Sequence, residues 1–112
     1  MSAKKVIDEA KKMCTNNISI YGIPKLNATS FVVNCYKKAL GIILPNYLGE
    51  LMNKGNKVTK DTLKPGDLVF PSQHLVGIYI GNNQFIYWPT TGDVCKVSHL
   101  NNLYTARRII NE

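Results

Sequence analysis

Leu63 to Pro89, LKPGDLVFPSQHLVGIYIGNNQFIYWP, constrains this chain more than any other stretch. Pro65-Gly66-Asp67 cannot continue a helix and suits a tight reversal. Leu68-Val69-Phe70 then reads as a short buried strand, and Leu75 to Ile80, β-branched and aromatic with one glycine, as a second. Gly81-Asn82-Asn83 turns the chain into Gln84 to Trp88, so the last two strands predict a β-hairpin. One histidine, His74, stands where the second strand begins.

The residues before this stretch have helical periodicity. Ala3 to Cys14 places Val6, Ala10, Met13 and Cys14 on one face, with lysines and acids opposite. Ile18 to Ile23 is apolar but interrupted by Gly22 and followed by Pro24, which reads as a loop. Asn27 can cap a second helix from about Ala28, with Phe31, Val32, Cys35, Tyr36 and Ala39 on its apolar face and Gly41 stopping it. A shorter third helix follows Pro45-Asn46, with Tyr47, Leu48, Leu51 and Met52 expected on its buried side and Gly55-Asn56 closing it. Later strands are expected at 94–97 and 106–110. Helices first and strands second, with hairpin-length connections, predict an α+β domain whose N-terminal helices pack on a C-terminal antiparallel sheet. No repeat, low-complexity tract or linker divides residues 1–112, so one domain is expected.

Composition enters at three points. The first is charge: +7, from 14 Lys and Arg against 7 acids. It favours an anionic partner, yet the cations are dispersed in nothing longer than doublets, which argues against a nucleic-acid-binding stripe. The second is hydropathy: no apolar run approaches the ~20 residues of a membrane span, and MSAKKVIDEAKKM lacks the apolar core of a signal peptide. The third is cysteine. Cys14, Cys35 and Cys95 are odd in number and lack Cys-x-x-Cys spacing, so they indicate neither a metal site nor a disulfide framework and read as buried thiols.

A nucleophile is best placed at the first residue of a helix, where unpaired N–H groups and the dipole lower its pKa. A histidine borne by the sheet can face it as general base, with a third polar group orienting the imidazole. The corresponding positions are Ala28, His74 and Tyr87. The first holds no nucleophile.

Three stretches resemble the NlpC/P60 cysteine peptidases, which cut peptidoglycan stem peptides. LKPGDLVF (63–70) and VGIYIGN (76–82) are similar to the family's Pro-Gly-Asp-Leu and Val-Gly-Ile-Tyr-Ile-Gly strands. NATSF (27–31), followed by YKKALGIILP (36–45), resembles the nucleophile helix, usually worded Asp-Cys-Ser-Gly-Phe. FIYWPTTG (85–92) resembles its Phe-Ile-His-Ala-Pro segment, and Ala106-Arg107-Arg108-Ile109 its closing strand. The likeness spans roughly Val6 to Ile109 and implies the papain-like NlpC/P60 fold.

The departures fall at the implied site. Ala28 takes the place of the nucleophilic Cys, and Asn27, Thr29 and Ser30 replace the flanking Asp, Ser and Gly. The family's His directly precedes Val-Gly-Ile-Tyr, where this chain has Leu75; His74 lies one residue early and needs a bulge, or a place in the loop before the strand, to face Ala28. Tyr87 stands at the third position, usually His. Plainer roles compete: Ala28 as a structural helix start, His74 as a surface loop residue, Tyr87 and Trp88 as packing. Tyr21-Gly22 resembles the aromatic-Gly loop of the substrate groove, and His99 reads as a surface residue. Cys35 cannot substitute for residue 28, lying seven positions on, about 10.5 Å along the axis at ~1.5 Å per residue.

The resemblance implies a cysteine endopeptidase, inactive through Ala28, that cleaves stem peptides at the bond from D-glutamate to the diamino acid. An Ala28→Cys form would attack the amide as thiolate. His74 would take and return the proton, Tyr87 would fix the imidazole, and the N–H of residue 28 would help hold the oxyanion. Tyr21, Asn27, Thr29, Ser30 and Trp88 are the expected substrate contacts. The alternative is a natural pseudoenzyme that binds wall peptides without hydrolysis. No metal or cofactor is implied, a monomer is expected, and the substrate implies secreted or extracytoplasmic action.

Overall fold

The computed structural model describes residues 2–16, 27–89 and 95–110. Helix α1 spans Ser2–Asn16 and turns Val6, Ala10 and Met13, at i, i+4 and i+7, completely inward. Helix α2 spans Ala28–Leu40. Gly41 ends it in the left-handed region at φ 70°, its N–H donating to the Lys37 carbonyl at 2.9 Å. Helix α3 is a single turn, Leu48–Leu51. Leu51 is buried as expected, but Tyr47 is 71% exposed, because it precedes this turn instead of lying within it.

The strands are β1 (Asn56–Lys57), β2 (Leu68–Ser72), β3 (Leu75–Gly81), β4 (Gln84–Tyr87), β5 (Lys96–His99) and β6 (Thr105–Arg108). They form one antiparallel sheet in the order β1-β6-β2-β3-β4-β5. Strand β1 was not anticipated, since two polar residues carry no alternation to read. The β3–β4 hairpin turns through Asn82 and Asn83, both at positive φ (53° and 60°), the conformation of a type I′ turn.

Alternation along the strands gives the sheet two covered faces. Ile78, Ile86 and Trp88 point to the helices and join Phe31, Val32, Cys35 and Tyr36 in the main core. Val69, Phe85 and Ala106 point the other way and are covered by Leu100 and Leu103 in the β5–β6 connection. That connection must cross the sheet, because β5 lies at the edge and β6 beside β2. Backbone bonds pin it at both ends, Leu100 N–H to the Asn83 carbonyl (2.8 Å) and Tyr104 N–H to the Phe70 carbonyl (2.7 Å).

The Pro-Gly-Asp turn is fixed from within. Asp67, 2% exposed, accepts the Lys64 N–H and both Nε and Nη2 of Arg108, each at 2.8 Å. The Tyr36 hydroxyl donates to the Gly66 carbonyl. Two of the three cysteines depart from expectation. Cys14, at the end of α1, and Cys95, just before β5, form a disulfide with Cα atoms 5.4 Å apart across a sequence separation of 81. That proximity arises from tertiary packing and leaves no trace in local spacing. Only Cys35 is a buried free thiol. Among the described residues no helix is long and apolar enough to cross a membrane.

Candidate functional site

The start of α2 is held by a complete capping box. Asn27 adopts an extended backbone, its Oδ1 accepts the Ser30 N–H at 2.9 Å, and Ser30 Oγ accepts the Asn27 N–H at 2.9 Å. Both side chains, expected as substrate contacts, are therefore engaged in ordering the helix start. Ala28 is the first helical residue, where backbone N–H groups lack intrahelical acceptors. It is 8% exposed, and its methyl belongs to the main core. Thr29 beside it is half-buried.

His74 is exposed in the two-residue turn Gln73-His74 between β2 and β3, its N–H donating to Ser72 Oγ at 3.1 Å. This is the loop position before the strand. A one-residue register shift lies next to it, between Val69 and Ser72 in β2. Leu75 opens β3, is half-buried, and packs against both apolar clusters, the one holding Ala28 and the one on which Tyr87 lies. It is the described residue that touches both sides.

Tyr87 ends β4 on the face away from α2, its ring stacked on Phe85 at 5.0 Å. The Phe85 ring and Tyr87 Cβ lie over Gly77, where an added Cβ would come 2.6 Å from Phe85 Cδ2 and 2.8 Å from the Ile86 carbonyl oxygen. The glycine of Val-Gly-Ile-Tyr is thus required by close approach. Trp88 faces the helix, 3% exposed, with its ring centroid 5.9 Å from that of Phe31 in the first turns of α2. Its buried Nε1 has no hydrogen-bond partner among the described residues. Tyr21 lies outside the described residues.

The structure therefore brings Ala28, Trp88 and Leu75 to one apolar cluster, and Leu75 and Tyr87 to the other. It leaves His74 in solvent at the adjoining turn. Position 75, directly before Val-Gly-Ile-Tyr, is where the sequence resemblance implies the histidine, and it holds leucine. Burial pushes the Cys35 thiol well up, with negative Glu9 adding to it, and pushes the Tyr36 hydroxyl up, with negative Asp67 adding. The hydrogen bond to Asp67 raises Arg108 further. As arranged, the α2 terminus can offer backbone donors to an anionic or carbonyl group, but it has no side chain able to attack one.

Comparison with known proteins agrees on one family. A family model described as NlpC/P60 family matches residues 17–112. A Haemophilus influenzae protein named probable endopeptidase NlpC homolog is 39% identical over 83 residues, 73% of this chain and 45% of that protein. The chain thus spans less than half the length of that relative. Among solved structures, the NlpC/p60 domain of the peptidoglycan hydrolase SagA superposes with a TM-score of 0.78 at 22% identity, over 95% of this chain and 97% of that one, which speaks to fold. RipD from Mycobacterium tuberculosis, described as a non-catalytic NlpC/p60 domain protein with adaptation to peptidoglycan-binding function, matches with a TM-score of 0.65 at 26% identity, over 76% of this chain and 67% of that one.

Proposed function

Because the chain belongs to the NlpC/P60 family, we propose that it recognises peptidoglycan stem peptides through the surface around the start of α2 and leaves them uncut. The observation that carries this reading is Ala28 at the first position of a fully capped α2: the helix terminus that would activate a thiol is built, and the thiol is missing. Leu75 supports it, since an aliphatic residue stands directly before Val-Gly-Ile-Tyr, where the family resemblance implies the catalytic histidine. RipD offers a precedent for a family member without catalysis. Net charge of +7 favours the acidic wall polymer, so binding should weaken as salt rises. The Cys14–Cys95 disulfide supports action in an oxidising compartment.

A second reading keeps the domain as a cysteine endopeptidase disabled at residue 28 alone, with His74 as base, Tyr87 as its orienter and the bond from D-glutamate to the diamino acid as target. The intact capping box favours it. Titration of the chain with purified disaccharide-peptides, followed by mass spectrometry of the peptide, separates the readings. Binding without products, an inert Ala28→Cys form, and hydrolysis only in Ala28→Cys/Leu75→His support the first. Cleavage by Ala28→Cys alone supports the second, and no binding of any stem peptide overturns both.

A further inference from the structure

We propose that the chain carries a second ligand site, separate from the start of α2, that takes a single-chain anionic amphiphile with a long-chain carboxylate. A cavity of about 510 Å³ opens between the N-terminal half of α1, the Pro65-Gly66 turn and the end of β6. This volume is within the range of small-molecule sites. Its floor is apolar: Ala3, Ile7, Pro65, Gly66 and Ile110. Gly66 is buried and keeps the floor open at φ +99°, where a Cβ would meet that of Ala3 at 3.0 Å. The Tyr36 hydroxyl holds its carbonyl from beneath.

The cavity lies at the other end of β2 from the candidate site. Pro65-Gly66 precedes Leu68, whereas His74 follows Ser72. Helix α1, one wall of it, also falls outside the residues that match the family, 17–112. The site is thus independent of the proposed function.

The rim fixes the sign of the ligand. Both acids at the cavity are already paired, Asp8 with Lys4 at 2.8 Å and Asp67 with Arg108 at 2.8 Å. Lys11 and Lys64 remain, exposed cations with no ion pair among the described residues. A mainly apolar lining that also includes two lysines without an ion pair among the described residues matches an alkyl chain ending in one carboxylate. A cationic headgroup would meet both lysines unfavourably, and a fully polar ligand would leave the floor uncovered.

The test uses sodium dodecanoate below its micelle concentration, titrated into the intact chain and followed by amide chemical shifts. The expected result is saturable shifts confined to residues 3–11, 64–67 and 108–110. Lys11→Gln/Lys64→Gln should weaken binding about tenfold, the effect of losing two exposed ion pairs, without changing the melting temperature. Ile7→Trp, which fills the cavity, should abolish binding; if it fails to fold, the lysine pair decides alone. Dodecyltrimethylammonium binding as tightly as dodecanoate, shifts centred on Ala28 or Trp88, or no saturable shift would each overturn the proposal.

Discussion

Asp67→Asn tests the bond that joins the turn before β2 to the closing strand. Its carboxylate accepts three hydrogen bonds, one from Lys64 N–H and two from the Arg108 guanidinium, all at 2.8 Å. An asparagine keeps the shape, and its amide oxygen can still accept from Lys64. That oxygen, in the place of Oδ2, also keeps the bond from Arg108 Nη2, but the NH₂ in the place of Oδ1 then faces Arg108 Nε, so the substitution sets donor against donor there and leaves Arg108 without its countercharge. Breaking one side of a buried ion pair costs about 3–5 kcal/mol. The Arg108 side chain is 20% exposed, so solvent recovers part of this, and about 3 kcal/mol is expected. For a chain of 112 residues, with an unfolding entropy of ~2.1 cal/mol/K per residue, each kcal/mol shifts the melting temperature by about 4 °C, a total fall of about 12 °C. The assay is thermal and urea denaturation by circular dichroism, with Arg108→Met and the double variant completing the cycle. The two single effects should exceed the double effect when summed, by more than about 1 kcal/mol. A melting temperature within about 2 °C of the parent, or additive effects, would refute the reasoning.

Gly77→Ala should cost about 2–3 kcal/mol in the same assay, because one of the atoms its Cβ meets, at 2.8 Å, is the Ile86 backbone oxygen and cannot rotate away; a neutral effect would mean that the sheet yields there. Burial raises the folded-state pKa values of the Cys35 thiol and Tyr36 hydroxyl, whereas unfolded they ionise near about 8.5 and about 10. Their protonated forms therefore add stability that is complete below about pH 8.5 and is lost as pH rises beyond it, and Tyr36→Phe should flatten this alkaline decline in melting temperature. Disulfide loss through Cys14→Ser/Cys95→Ser removes a link across a separation of 81 residues. It should cost up to about 4.5 kcal/mol on the chain-entropy account. One titratable thiol in urea without reductant is the matching chemical result, and three would exclude the bond.

The fold was legible where local chemistry decides it. Asn27 and Gly41 bound α2 as cap and stop, and the β3–β4 hairpin turns at Asn82-Asn83, because each signal acts within a few residues. What was missed depends on distant partners. Nothing in the spacing of Cys14 and Cys95 announces that α1 ends beside the start of β5. The Asp67–Arg108 pair likewise joins two stretches recognisable separately, and only the β2–β6 pairing makes them neighbours.

The candidate site turns on a parity that the sequence did display. Residues 76, 78, 86 and 88 belong to the core beneath α2, while 79, 85 and 87 belong to the opposite cluster. Ala28 and Tyr87 thus sit on different faces of the sheet. At the first position of β3, where the chain has just emerged from a turn, Leu75 packs against both clusters. An imidazole there would lie half-buried against both clusters, whereas His74 stands in solvent. This is why restoring sulfur at residue 28 is expected to be insufficient. A thiol without an adjacent base keeps an unassisted pKa apart from the helix-terminal effect, and a leaving amine finds no acid. On the proposed reading, a catalytic form needs reactive side chains at positions 28 and 75, both aliphatic in this chain.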